Sequence, residues 1–401
     1  MRAYHHIFLI VCSVIVTCPA GSAAGNEQIY PLGIRFPLGL YSTERIEELK
    51  KVKELGWNIV HSYNFKPDYL EMCEEAEIFV LANLGGEAEP IPEPQAASVI
   101  NEIAKSNFVG WWNLPEERRW WRKGEMAIIE NYFKWTRRYD GLKHPNYMYI
   151  PGHYTAEDVA KYVPYLDIIP ASVYTSNYQM PDAWVRWRME TTIEGIKQAK
   201  AKIGRNYLKG EKIPIAVLQL FDSSAGKLHL KNRMQPEDAY HNFWQCIVSG
   251  ARGVLVFSYW HKRDDPQYEE NWRAYCRAAD QINGAERIGQ VILFGKEFND
   301  LKCDISMGPS RTEKFVPHGT KLNRISFPAV DLLSKTYFGN LYIILVNSTK
   351  ASVAAKIRGV PTSSTDAAVL FENKKLRIEK NAFDVSFAPL EVHILKIPNI
   401  E

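Results

Sequence analysis

Two adjacent glutamates, Glu116 and Glu117, follow the run Val109-Gly110-Trp111-Trp112-Asn113-Leu114-Pro115 and precede Arg118-Arg119-Trp120-Trp121. A carboxyl group set among indoles loses part of its hydration, which favours the protonated form and suits it to donate a proton. Trp112, Trp120 and Trp121 also offer flat apolar faces of the kind on which sugar rings stack. Neighbouring residues point apart, so one glutamate of the pair is expected in a cleft. Glu116 takes precedence because it follows Pro115 directly, with Glu117 in reserve. Alone, the stretch reads equally well as a surface turn with solvated charges.

A strand must end where these carboxylates begin. Pro115 cannot donate to a central ladder, so the apolar run stops near Leu114. Along the chain, β-rich runs alternate with helical stretches, the pattern of parallel βα units. Strands are expected at 36–41, 58–63, 78–84, 109–114, 146–150, 168–173, 214–220 and 253–258. Helices are expected at 43–55, 67–76, 95–105, 125–139, 156–163, 184–203, 236–249 and 271–282. Eight such units close a (β/α)8 TIM barrel, which assigns residues 25–284 to an α/β barrel domain. Residues just past each strand then converge on one cleft. In the first half these are Tyr41, Ser62, Tyr63, Asn83, Asn113 and Glu116; in the second half His153, Tyr154, Tyr174, Gln219, Asp222, Tyr259 and Trp260. Amides, phenols, imidazole and indole hydrogen-bond hydroxyls and stack on ring faces, as a sugar site requires. No glycine-rich turn of the phosphate-binding kind precedes a helix.

The rest of the chain bounds this reading. Of 401 residues, 46% are hydrophobic and 24% charged, enough for one large core and a smaller partner. A net charge of +3 without a basic tract points away from nucleic acid and from anionic membranes. From about Ala285 the helix signals fade, and residues 285–401 are expected to form a small antiparallel β-sandwich without a catalytic cluster. Residues 1–24 read as a secretory signal peptide: Arg2, His5 and His6 precede the apolar Ile7 to Thr17, and Ser22-Ala23-Ala24 suits cleavage. The mature protein is therefore expected to be secreted or periplasmic, with no stable membrane insertion, since no apolar run is long enough to span a bilayer. Cys73, Cys246, Cys276 and Cys303 remain after cleavage, too widely spaced to suggest a metal site. No metal and no cofactor are expected.

On four motifs the chain resembles the secreted (β/α)8 glycoside hydrolases of the large retaining superfamily and their bacterial relatives. They are Phe36-Pro37-Leu38-Gly39-Leu40-Tyr41, Leu55-Gly56-Trp57-Asn58-Ile59-Val60, Gly110 to Glu116, and Gly250-Ala251-Arg252-Gly253-Val254 before Tyr259-Trp260. The resemblance covers nearly all of the mature chain. It implies a glutamate after the fourth strand as general acid/base, on Glu116 or Glu117, and an aromatic floor after the eighth, on Trp260. It also implies a glutamate nucleophile at the end of the seventh strand, where this chain has Gln219 with Asp222 close by. The first expectation is thus a hydrolase acting on a polysaccharide or oligosaccharide. A lyase on the same barrel would use His153, Tyr154 or Tyr174 as base, with Arg118 or Arg119 neutralising a uronate. A carbohydrate-binding barrel that has lost its nucleophile is the third alternative.

Overall fold

The computed structural model describes residues 32–85, 90–199, 212–221, 233–259, 266–361 and 365–399. The expected signal peptide, Asp222 and Trp260 lie outside these residues. Eight parallel strands close a barrel in chain order. They are β1 (Leu38–Tyr41), β2 (Ile59–His61), β3 (Phe79–Asn83), β4 (Val109–Asn113), β5 (Asn146–Tyr147), β6 (Ile168–Val173), β7 (Ile213–Gln219) and β8 (Val254–Phe257). Between and after them run α1 (Ile46–Glu54), α2 (Pro67–Glu75), α3 (Glu93–Ile103), α4 (Glu125–Tyr139), α5 (Ala156–Tyr162), α6 (Trp184–Ala199), α7 (Pro236–Val248) and α8 (Pro266–Asn283). The chain is thus the expected (β/α)8 barrel followed by an antiparallel β domain.

Barrel strands are covered on both faces, which is why they read as continuous apolar runs such as Ile-Val or Phe-Val-Leu-Ala rather than as alternations. Crowding inside the barrel explains Gly39: a Cβ there would come within 2.3 Å of a Leu255 methyl. Loop chemistry sets the helix starts. Thr155 and Asp158 form a reciprocal capping box at α5, whereas Thr43, the expected cap of the first helix, bonds the Tyr69 hydroxyl at 2.7 Å instead. That helix accordingly begins later, at Ile46.

Beyond the barrel one expectation fails. A further helix, α9 (Ile288–Phe294), follows α8, and its Ile288, Val291, Ile292 and Leu293 pack into the barrel core. Two sheets come next. One orders β10 (Lys302–Met307), β13 (Val353–Arg358) and β16 (Ala382–Phe387). The other runs β15 (Lys374–Arg377), β14 (Asp366–Val369), β17 (Val392–Ile397), β12 (Asn340–Asn347), β11 (Val330–Tyr337), β9 (Lys296–Glu297). The larger sheet is a middle layer. Leu341, Ile343 and Leu345 of β12 face the sandwich core, while Tyr342, Ile344 and Val346 join the core of the barrel. Polar groups join the same junction. Asp331 pairs with Arg186 of α6, and Gln245 of α7 donates to Asp331 at 2.8 Å while accepting from Ser348 at 2.6 Å.

Candidate active site

Five consecutive strands end in one polar layer: Tyr41, His61, Asn83, Asn113 and Tyr147 close β1 to β5. Register aligns them, Tyr41 beside His61 and Asn83 beside Asn113. Asn83 Oδ1 accepts from His61 Nε2 at 3.1 Å and from Asn113 Nδ2 at 2.7 Å, and its own amide donates to the Ser62 carbonyl at 3.0 Å. His61 therefore carries its proton on Nε2. Burial pushes this imidazole down to about 3, against the opposing pull of the Asn83 hydrogen bond, so it stays neutral.

Glu116 stands on this layer. Tyr41 Oη donates to its Oε1 at 3.2 Å, Asn113 Nδ2 to the same oxygen at 3.1 Å, and Tyr63 Oη to Oε2 at 3.3 Å. The Tyr147 hydroxyl lies 2.6 Å from that of Tyr41 and can supply the next proton in line. Burial raises Tyr41 and Tyr147 well above the usual phenol range, so both remain donors at working pH. Glu116 is half-buried and Tyr63 exposed, so the carboxylate opens to solvent past Tyr63. Tyr63→Phe removes a hydrogen-bond donor to the Glu116 carboxyl. It is expected to cost about 1–2 kcal/mol of transition-state stabilisation, roughly 5–30-fold in kcat/KM, and steady-state rates of the two proteins check it.

The second half of the mouth is an aromatic wall. Tyr149 bonds Ser172 at 2.7 Å and stacks on Tyr174, which in turn stacks on Tyr178. His153, past β5, is exposed and meets Tyr154 edge-on. Glu117 takes a left-handed backbone, φ 55°, is exposed, and its charge is felt at Tyr149, Tyr154 and Tyr178.

Several expected positions lie elsewhere. Trp112 is fully buried and meets His144 edge-on, because alternation along β4 turns Asn113 inward and Trp112 outward. It offers no face to a sugar. Arg118 is buried, its charge felt at Tyr132 of α4, while its carbonyl accepts from Tyr162 at 2.6 Å. Gln219 is buried too, with Oε1 accepting from the Asn177 amide at 3.0 Å and Nε2 donating to the Phe221 carbonyl at 2.9 Å. It ties two loops together. Trp120 and Trp121 are exposed and meet edge-on, with the Lys161 ammonium 4.0 Å over the Trp120 ring. The indoles therefore do not enclose Glu116, whose surroundings are phenols and amides.

Several contributors were missed: Tyr147, Tyr149 and Tyr178 at the mouth, and two histidines. His61 shares the inward face with Ile59, and strand alternation could have found it. His318, from the loop between β10 and β11, places its ring 4.5 Å from that of Tyr178. A groove of about 920 Å³ lies at the opposite end, lined by Trp57, Asn58, Phe108 and Asn283. In barrels of this kind that end serves stability rather than catalysis. Among the described residues no three His, Cys, Asp or Glu side chains gather as a metal site.

No family model and no curated protein matches the chain. Solved structures do. An α-amylase from Geobacillus thermoleovorans, complexed with acarbose, is similar with a TM-score of 0.55 at 9% identity, over 91% of this chain and 98% of that one. An α-amylase from Anoxybacillus gives 0.54 at 10% identity, over 89% and 90%. A GH27 β-L-arabinopyranosidase from Geobacillus stearothermophilus, in complex with arabinose, gives 0.56 at 10% identity, over 94% and 100%. At such identities the likeness is one of fold alone, that of the (β/α)8 barrel.

Proposed function

We propose that this protein is a glycoside hydrolase acting on a polysaccharide or oligosaccharide, with Glu116 as its general acid/base. One observation carries the reading: among the described residues, Glu116 is the carboxylate that the polar layer at the strand ends holds, through Tyr41, Asn113 and Tyr63. Three donors are what a charged carboxylate accepts. When substrate displaces the exposed Tyr63 hydroxyl and desolvates the carboxyl, Glu116 takes up a proton from solvent and donates it to the glycosidic oxygen; in a retaining reaction the resulting carboxylate is then the base toward the attacking water. Asp222, close to the strand-seven position where the resemblance implies a glutamate, is the proposed second carboxyl, and Trp260 is the floor under the cleaved sugar that the resemblance implies. The separation of the two carboxyls sets the outcome, retention at about 5 Å and inversion at roughly 6.5–9.5 Å.

The fold of sugar-cleaving enzymes supports the reading without naming the sugar. So do the exposed Trp120 and Trp121, beside the Tyr154 that Trp121 meets at 5.7 Å. Loss of an indole platform is worth on the order of 1–3 kcal/mol, so Trp121→Ala is expected to weaken oligosaccharide binding by roughly tenfold. Titration calorimetry with a graded series of oligosaccharides measures it. The test of the function is product analysis on a panel of polysaccharides. New reducing ends without ultraviolet-absorbing, unsaturated products are expected. An absorbing product would replace hydrolysis by elimination, and sugar binding without any product would leave a non-catalytic barrel.

A further inference from the structure

We infer that the β5–β6 side of the cleft is a cationic subsite, built where the His318 loop of the C-terminal domain meets His153 and Arg119 of the barrel, and that it takes the anionic group of an acidic sugar. This rests on the hydrolase reading and names the substrate class for the same cleft.

The loop is fitted to the barrel mouth. Gly319 has φ +75°, and a Cβ there would sit 2.9 Å from His153 Cβ and 3.0 Å from the His153 carbonyl oxygen. Only glycine permits that approach. The contact brings His318, exposed and lying on the Tyr178 ring, to the exposed His153, and the charges of both His318 and Arg119 are felt at His153. Arg119 is exposed on the loop past β4.

Beneath them lies Arg188 of α6, fully buried. Its Nη1 donates to the Tyr154 carbonyl at 2.5 Å, while Nε and Nη2 have no hydrogen-bond partner. No carboxylate among the described residues pairs with it. A buried guanidinium without a counter-charge is costly, and its field adds to that of the imidazoles and Arg119 above it. Two carboxylates oppose this group. Asp158 is engaged in the α5 cap and with Lys161 at 3.4 Å, and the charge of exposed Glu117 is felt at Tyr154 and Tyr178. Neutral hydroxyls need no such excess of cations, whereas a carboxylate or sulfate ester is bound most strongly by charged donors.

The subsite should also respond to pH. Burial, and then His318, Arg188 and Arg119, hold His153 below the ordinary histidine range, with Asp158 pulling the other way. A bound anion reverses that bias, so binding takes up a proton. Affinity for the acidic sugar is expected to rise as pH falls from about 7 to 5, above the range where uronates protonate, and affinity for its neutral counterpart is not.

The experiment is calorimetric binding to full-length Glu116→Gln protein. The probes are galacto- and gluco-disaccharides in neutral, uronate and sulfate-ester forms. At least one acidic form is expected to bind about tenfold or more tightly than its neutral counterpart. His318→Gln and Arg119→Gln should each reduce that ratio by roughly tenfold. A loop that merely lost its shape would weaken both forms alike and leave the ratio intact, which would overturn the assignment of those side chains. Preference for the uronate identifies a uronic acid, and preference for the ester a sulfated sugar; either supports the subsite. Neutral forms bound as well as acidic ones would overturn the subsite and leave the hydrolase reading standing. Binding of none of the probes would overturn both.

Discussion

Glu116→Gln should lower turnover by about 10²–10⁴-fold while sugar binding persists, because it removes a proton-transfer group and leaves its shape. The site tolerates the exchange. Oε1 accepts from Tyr41 and Asn113, and Oε2 from Tyr63. A glutamine can turn its carbonyl oxygen to the first two, and the exposed Tyr63 hydroxyl can rotate to accept from the new amide. The variant should therefore fold as the parent does. Glu117→Gln is the matched control, since Glu117 is exposed and its charge is felt at Tyr178. Turnover on the substrate found by product analysis, with calorimetric affinity beside it, measures both proteins. Parental rates in both variants would remove Glu116 and Glu117 from the chemistry and leave the proton transfer to another residue.

Legibility followed burial. The barrel was readable because strands covered on both faces leave unbroken apolar runs, and because Pro115 and the helix-facing patterns punctuate them. Glu116 was readable for the same reason: it follows a strand end marked by a proline. Its surroundings were not. Trp112 adjoins it in sequence, yet strand alternation sends that indole to the helix layer. Asn113 donates from the same strand end, whereas Tyr41 and Tyr63 reach the carboxylate from the end of β1 and from just past β2, tens of residues away, where nothing in the local pattern marks them as its partners. Gln219 looked like a departure at a catalytic position, but its amide is occupied by two backbone groups. His318 carried no signal at all, since only the packing of the middle sheet on α7 and α9 brings its loop to the barrel. The short α9 is apolar over nearly its whole length, and periodicity cannot separate such a run from a strand.

The layer under Glu116 has a measurable consequence for stability, through His61. In the folded protein burial pushes this imidazole down to about 3, whereas in the unfolded chain it titrates near the ordinary value of about 6.5. Between those values the unfolded state binds a proton that the native state refuses. The stabilising contribution is therefore complete above about pH 6.5 and is lost as pH falls toward 3. His241, pushed down to about 4 by burial at the domain junction, acts with the same sign. Asp182, raised to about 7 by burial and then by Asp238, acts with the opposite sign, since its native state binds the extra proton as pH falls. The total curve mixes these, but a comparison isolates His61. His61→Gln keeps a donor toward Asn83 and cannot titrate. On a slope of about 1.4 kcal/mol per pH unit, the parent should lose roughly 2–3 kcal/mol more than this variant between pH 6.5 and 4.5. Chemical denaturation of both at the two pH values reads the difference directly. Parallel losses would mean that His61 accepts a proton in the native state. The amide ladder from His61 through Asn83 and Asn113 would then reach Glu116 from a charged imidazole rather than a neutral one.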